Sequence, residues 1–122
     1  MSTILVADDD PQIRSLLRGL LDAKGHQVVE ARDGNECLAC FHSAHPDLVV
    51  LDIYMPDKDG LETIQLLRKS DPAVKILVIS GNQIKGFDPC QSAKAFGAQD
   101  TLEKPFSAEE FLERVERLLN AR

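Results

Sequence analysis

Two apolar runs in this chain drive straight into acid. Ile4-Leu5-Val6-Ala7 is followed by Asp8-Asp9-Asp10, and Leu48-Val49-Val50-Leu51 by Asp52. Short runs unbroken by polar residues fit strands covered on both faces, as in parallel sheets flanked by helices. A buried strand that delivers carboxylates at its C-terminal end needs a partner for them, because an ionised carboxylate is costly to bury alone. In open parallel sheets that edge is where ligands sit. The pattern predicts an α/β sheet with an acidic pocket at one edge.

The rest of the chain supports that architecture. Strands are expected at Thr3 to Ala7, Gln27 to Ala31, Asp47 to Asp52, Val74 to Ile79 and Thr101 to Leu102. Between them lie stretches with helical spacing. The first opens at Pro11, repeats through Ile13, Leu16, Leu17, Leu20 and Leu21, and stops at Gly25. The second carries Cys37, Leu38 and Phe41 to Pro46, with Asp33 or Asn35 available as its cap. The third carries Leu61, Ile64, Leu66 and Leu67 to about Ser70-Asp71-Pro72. A short fourth helix is expected from about Pro89 to Phe96, closed by Gly97. The last runs from Ser107 to Leu119, with Ser107 and Glu110 in capping-box spacing. Five β/α units imply one doubly wound parallel sheet with helices on both faces. Such a flavodoxin-like sheet commonly takes the strand order 2-1-3-4-5.

At 122 residues the chain is read as one domain, residues 1–122, with no output domain visible after the last helix. A formal net charge of -6 argues against direct binding of nucleic acid or of an anionic membrane surface. No apolar stretch approaches the roughly 20 residues of a membrane span. The segment Met1-Ser2-Thr3-Ile4 has no signal-like character, so a cytoplasmic location is expected. Three loosely placed cysteines make no disulfide framework and fit a reducing compartment.

In the expected strand order, Asp8 and Asp9 lie beside Asp52. Two unit charges ~4 Å apart repel by about 4 kcal/mol at an effective dielectric of ~20. Three such carboxylates call for a cation, and an all-oxygen site near open solvent suits Mg²⁺. Ser80 ends the fourth strand, and Lys104 follows the fifth. A hydroxyl and an ammonium beside a metal and a carboxylate make a site for a phosphoryl group. Asp52 is then the nucleophile, giving an aspartyl phosphate.

The motifs Ile4 to Pro11, Asp47 to Pro56, Asp59-Gly60, Ser80-Gly81, Gly97-Ala98 and Lys104-Pro105-Phe106 come in order, at spacings similar to those of response-regulator receiver domains of two-component signalling. The resemblance spans essentially the whole chain. It implies Asp52 as phosphoacceptor, Asp9 as a direct Mg²⁺ ligand, Asp8 as a ligand through water, and the backbone carbonyl of Tyr54 as a further ligand. It implies Ser80 as the switch hydroxyl, Lys104 as the partner of the phosphoryl group or of unmodified Asp52, and a cis Lys104-Pro105 bond. Gly81 would leave room for a phosphodonor, while Asp10 would face solvent or cap the first helix. The phosphodonor would be a sensor histidine kinase or a phosphotransfer protein. A downstream partner would read the face formed by the short fourth helix, the fifth strand and the last helix. A monomer or weak dimer is expected, and no stand-alone enzyme beyond self-phosphorylation and autodephosphorylation.

Two features depart from the family pattern. Thr101 stands where receivers often carry the aromatic ring that couples to the switch hydroxyl. The loop beyond Ser80 is a little long, with Gly81, Gly86 and Pro89. Tyr54 and Asn82 occupy the positions that shape water access to an acyl phosphate, which suggests an intermediate phosphoryl lifetime. Two other functional classes compete with the switch. One is a constitutive protein-interaction module that keeps the pocket but loses the switching at Thr101. The other is a phosphohydrolase, for whose cap the chain has no room.

Blander readings hold elsewhere. Taken alone, Asp8-Asp9-Asp10 is a helix cap, and only Asp52 and Lys104 turn it into a phosphoryl site. Cys37, Cys40, His42 and His45 invite a zinc reading, but on a helix they read as small core residues and surface histidines. Cys90 reads as an inert thiol at a helix start. Arg114 and Arg117 beside Glu113 and Glu116 read as a solvated helix face.

Overall fold

A computed structural model of the chain describes residues 2–53, 60–80 and 97–120. In chain order they form β1 (Thr3–Ala7), α1 (Pro11–Ala23), β2 (Gln27–Ala31), α2 (Gly34–Ala44), β3 (Leu48–Asp52), α3 (Gly60–Ser70), β4 (Ile76–Ser80), β5 (Asp100–Glu103) and α4 (Ala108–Asn120). The strands make a single parallel sheet in the order β2-β1-β3-β4-β5, as expected. The short helix expected from about Pro89 to Phe96 lies outside the described residues. So do Gly81, Gly86 and Cys90.

Alternation along each strand explains why the runs contain no polar breaks. Leu5, Val49, Leu51 and Val78 join a core cluster with Phe41 of α2 and Ile64 and Leu67 of α3. Ile4, Val6, Leu48, Val50 and Leu77 point the other way and pack with Leu17 and Leu21 of α1 and Phe111 and Val115 of α4. Two faces are thus filled from one apolar string, and β3 and β4 are buried along their whole length.

The helix ends follow local chemistry. Asp10 caps α1, its carboxylate accepting from the Gln12 amide at 2.9 Å, and Pro11 takes the first helical position. Asp33, rather than Asn35, caps α2 through the Glu36 amide at 2.8 Å. The chain leaves α1 through Gly25 at φ 85°, a conformation glycine adopts without cost. Ser107 accepts from the Glu110 amide at 3.0 Å, completing the expected cap of the last helix.

The strand limits differ by a residue or two. β4 begins at Ile76 and not at Val74, because the Val74 carbonyl is taken by side chains, Arg68 Nη1 at 2.6 Å and Gln99 Nε2 at 2.9 Å. β3 begins at Leu48, with the Asp47 carboxylate turned to the Thr3 amide. β5 extends one residue beyond each end of the Thr101-Leu102 pair. No helix of the described residues is long and apolar enough to cross a membrane.

Candidate functional site

Sheet order alone brings four strand ends to one edge. Asp52 is the last residue of β3, Asp8 and Asp9 directly follow β1, Ser80 ends β4, and Lys104 follows β5. β1 and β3 are neighbours, with Ala7 opposite Leu51, so the acids that follow each strand meet. One carboxylate oxygen from each of Asp8, Asp9 and Asp52 lies within 4.8 Å of the other two. Asp8 and Asp52 are only 1% and 6% exposed, whereas Asp9 faces solvent.

Lys104 is the cation of this cluster. Its Nζ lies 3.3 Å from Asp52 Oδ2 and 3.5 Å from Asp8 Oδ2. Its backbone amide donates to the Ser80 carbonyl at 2.8 Å, tying the lysine to the end of β4. The Lys104-Pro105 bond is cis, as the resemblance implied. Ser80 is buried beside these groups, 4% exposed.

The electrostatics are those of a site short of positive charge. Burial pushes the Asp8 carboxyl up to about 6, and the neighbouring charges of Asp52 and Asp9 add to the rise, against the Asp10 amide and Lys104. Burial alone would lower the Lys104 ammonium, but Asp52 and Asp8 outweigh it and hold it above its usual value. Asp8 Oδ1 accepts from the Asp10 amide at 2.9 Å, while Asp8 Oδ2 is buried without a hydrogen-bond partner among the described residues. The ammonium 3.5 Å away reaches that oxygen only as a long ion pair. Three carboxylates, one of them with an orphaned buried oxygen, fit a hard divalent cation such as Mg²⁺.

The structure thus gathers Asp8, Asp9, Asp52, Ser80 and Lys104. Tyr54, Asp59 and Asn82 lie outside the described residues. Thr101 sits within β5 opposite Val78, away from the acids, and its carbonyl accepts from Arg114 Nη1 at 2.8 Å. Cys37 is buried in the core, where desolvation pushes its thiol up to about 12. Among the described residues, the cysteines and histidines around α2 form no metal-ligating group of three.

One surface reading is corrected. Arg114 and Arg117 do not merely form a solvated helix face. They reach Asp100 at 3.2 and 2.7 Å and clamp β5 to α4. Their spacing of three places them on one side of the helix, but only the tertiary fold brings Asp100 beneath it. Arg14 was also without a role in the sequence. Its guanidinium Nη1 donates to the Asp8 carbonyl at 2.7 Å, at the margin of the acidic pocket.

Comparison with known proteins agrees with this geometry. A family model described as the response regulator receiver domain matches residues 4–116. The response regulator MprA of Mycolicibacterium vanbaalenii is 41% identical over 121 residues, covering 95% of this chain and 49% of the relative. MprA of Mycobacterium avium is 40% identical, covering 95% and 50%. The chain therefore spans about half the length of these curated relatives. Among solved structures, the receiver domain of NtrX from Brucella abortus superposes with a TM-score of 0.90 at 36% identity, over 98% of this chain and 99% of that one. The response regulator domain of Thermotoga maritima CheB gives 0.87 at 29% identity, over 98% and 97%.

Proposed function

Since the chain belongs to the response regulator receiver domain family, whose general function is a phosphorylation switch in two-component systems, we propose that its switch is thrown at Asp52. The carboxylate of Asp52 attacks the phosphorus of a phosphohistidine on a sensor kinase or phosphotransfer protein. A P–O bond forms, the P–N bond breaks, and the imidazole leaves with a proton from solvent. The observation that carries this reading is the buried Asp52 carboxylate 3.3 Å from Lys104 and within 4.8 Å of Asp8 and Asp9.

Asp9 and Asp52 would hold Mg²⁺ directly and Asp8 would hold it through water, with the Tyr54 carbonyl as a further ligand. The ion would neutralise charge on the phosphoryl oxygens. Lys104 stays charged at neutral pH and transfers its ion pair from Asp52 to the phosphoryl group. Ser80 donates its hydroxyl to a phosphoryl oxygen, and that movement is what a partner would read on the side of β5 and α4. The protein acts in the cytoplasm as a substrate of its kinase and not as a stand-alone enzyme.

A constitutive interaction module is the competing reading, and Thr101 favours it. The side chain has no ring to swing, and its backbone is held by Arg114. Amide chemical shifts recorded on adding beryllofluoride with Mg²⁺ separate the two. Shifts that reach β5 and α4 are expected for the switch. Shifts confined to the pocket would leave the interaction module. An equal response in Asp52→Asn would defeat the phosphoacceptor assignment.

A further inference from the structure

Arg14 stands in the first turn of α1, just after the acidic run, with its side chain 18% exposed. Its Nη1 donates to the main-chain carbonyl of Asp8 at 2.7 Å, and its Nε lies 3.3 Å from Glu30 Oε1 on β2. Arg18, one turn further along α1, reaches the other oxygen of Glu30 at 2.7 Å. The Asp8 amide, for its part, donates to the Ala31 carbonyl at 3.0 Å. Both backbone polar groups of Asp8 are therefore pinned, one to β2 and one to a guanidinium that β2 itself anchors.

The carbonyl that Arg14 grips shares a planar peptide with the amide nitrogen of Asp9. Fixing that plane fixes the N–Cα bond of Asp9, the axis about which its side chain is placed. Asp9 is the solvent-facing member of the acidic cluster, so it gains least from packing and most from a fixed main chain. Mg²⁺ demands near-ideal octahedral geometry, and a ligand set that is even slightly misplaced is poorly tolerated.

We infer that Arg14 is a positioning residue for the divalent-cation site, setting the Asp8-Asp9 peptide so that both carboxylates converge with Asp52. It touches neither metal nor phosphoryl group, and Glu30 is its anchor. The inference rests on reading the pocket as a Mg²⁺ site.

The sign of one measurement decides it. A guanidinium next to the acids repels a divalent cation, so charge alone predicts tighter Mg²⁺ binding once Arg14 is neutralised. Positioning predicts the opposite. Mg²⁺ titrations of ¹⁵N-labelled chain at fixed ionic strength, followed by amide shifts, give the dissociation constant directly. Arg14→Gln is expected to weaken binding about tenfold, the low end for partners that orient metal ligands. Glu30→Gln, which keeps the arginine but frees it, should weaken binding less. An unchanged or tightened constant in folded Arg14→Gln overturns the inference. If that variant does not fold, an unchanged constant in Glu30→Gln overturns it. A wild-type chain with no Mg²⁺ response would refute the site reading itself, and the inference with it.

Discussion

Asp52, Ser80 and Lys104 could be read from the sequence because each sits at or just past the end of a strand signal. Once the strand order is known, their meeting is forced. Arg14 was not readable in that way. Its role depends on how α1 lies over β2, and helical spacing does not reveal which carbonyl a long side chain will find. Gly60 is a residue whose necessity also appears only in three dimensions. A Cβ there would overlap the Ile53 backbone, and the Gly60 amide donates to the Ile53 carbonyl at 2.9 Å. The residue after Asp52 is thus held by backbone contact with α3. Gly60→Ala should cost about 2 kcal/mol or more, as overpacked cores do. That is a fall of several degrees in Tm on a thermal melt, and an unchanged Tm would show that the contact relaxes freely.

Among the elements, β4 shows best why boundaries escape sequence reading. Val74 has the composition of a strand residue, but Arg68 and Gln99 claim its carbonyl. Arg68 donates to the carbonyls of Pro72, Val74 and Gly97, and to Gln99 Oε1. Gln99 Oε1 also accepts from the Ile76 amide at 2.8 Å. This node binds the end of α3, the start of β4 and the approach to β5, at the sheet edge opposite the acids. Arg68→Met should take the donor from the Pro72 and Gly97 carbonyls, while the Val74 carbonyl keeps Gln99 Nε2, costing roughly 1–3 kcal/mol for each one left buried and unpaired. Hydrogen exchange at the Ile76 and Gln99 amides should quicken, while exchange at Asp8 and Asp10, on the far edge, stays slow. Uniform acceleration across the sheet would contradict a local role for the node.

For the whole molecule, the titrating groups pull stability in opposite directions. Folded Asp8 keeps its proton up to about 6, whereas an unfolded aspartate loses it near 3.8. Between those values the folded state binds more protons, so stability falls as pH rises through the window. Glu30 is held below its usual value by Arg18 and Arg14. Asp100 is lowered as well, burial being outweighed by the Thr101 amide and by Arg117 and Arg114. Their contributions are complete above the usual carboxylate range and disappear as pH falls through the lowered values. Melts of metal-free protein from about pH 4 to about pH 8 should therefore show a maximum at the acidic end, a declining limb that ends at about pH 6 and a plateau above it. Mg²⁺ should lift that limb, and Asp8→Asn should flatten it without added metal. A limb that persists in Asp8→Asn would assign the decline to another group.

The two arginine-held acids have a colloidal consequence. Glu30 lies on β2 and Asp100 on β5, the outer strands of the sheet, and each is gripped by two arginines of an adjacent helix. An exposed strand edge is a template on which another chain can polymerise, and fixed charge is one way to blunt it. The chain's pI is about 5.0, so near that pH its net charge no longer keeps copies apart. Both edge acids are still ionised there, because their arginines hold them below the usual carboxylate range. The sheet edges thus stay charged at the pH where the molecule as a whole has none, and stronger acid, which neutralises both carboxylates, leaves the arginines that hold them charged.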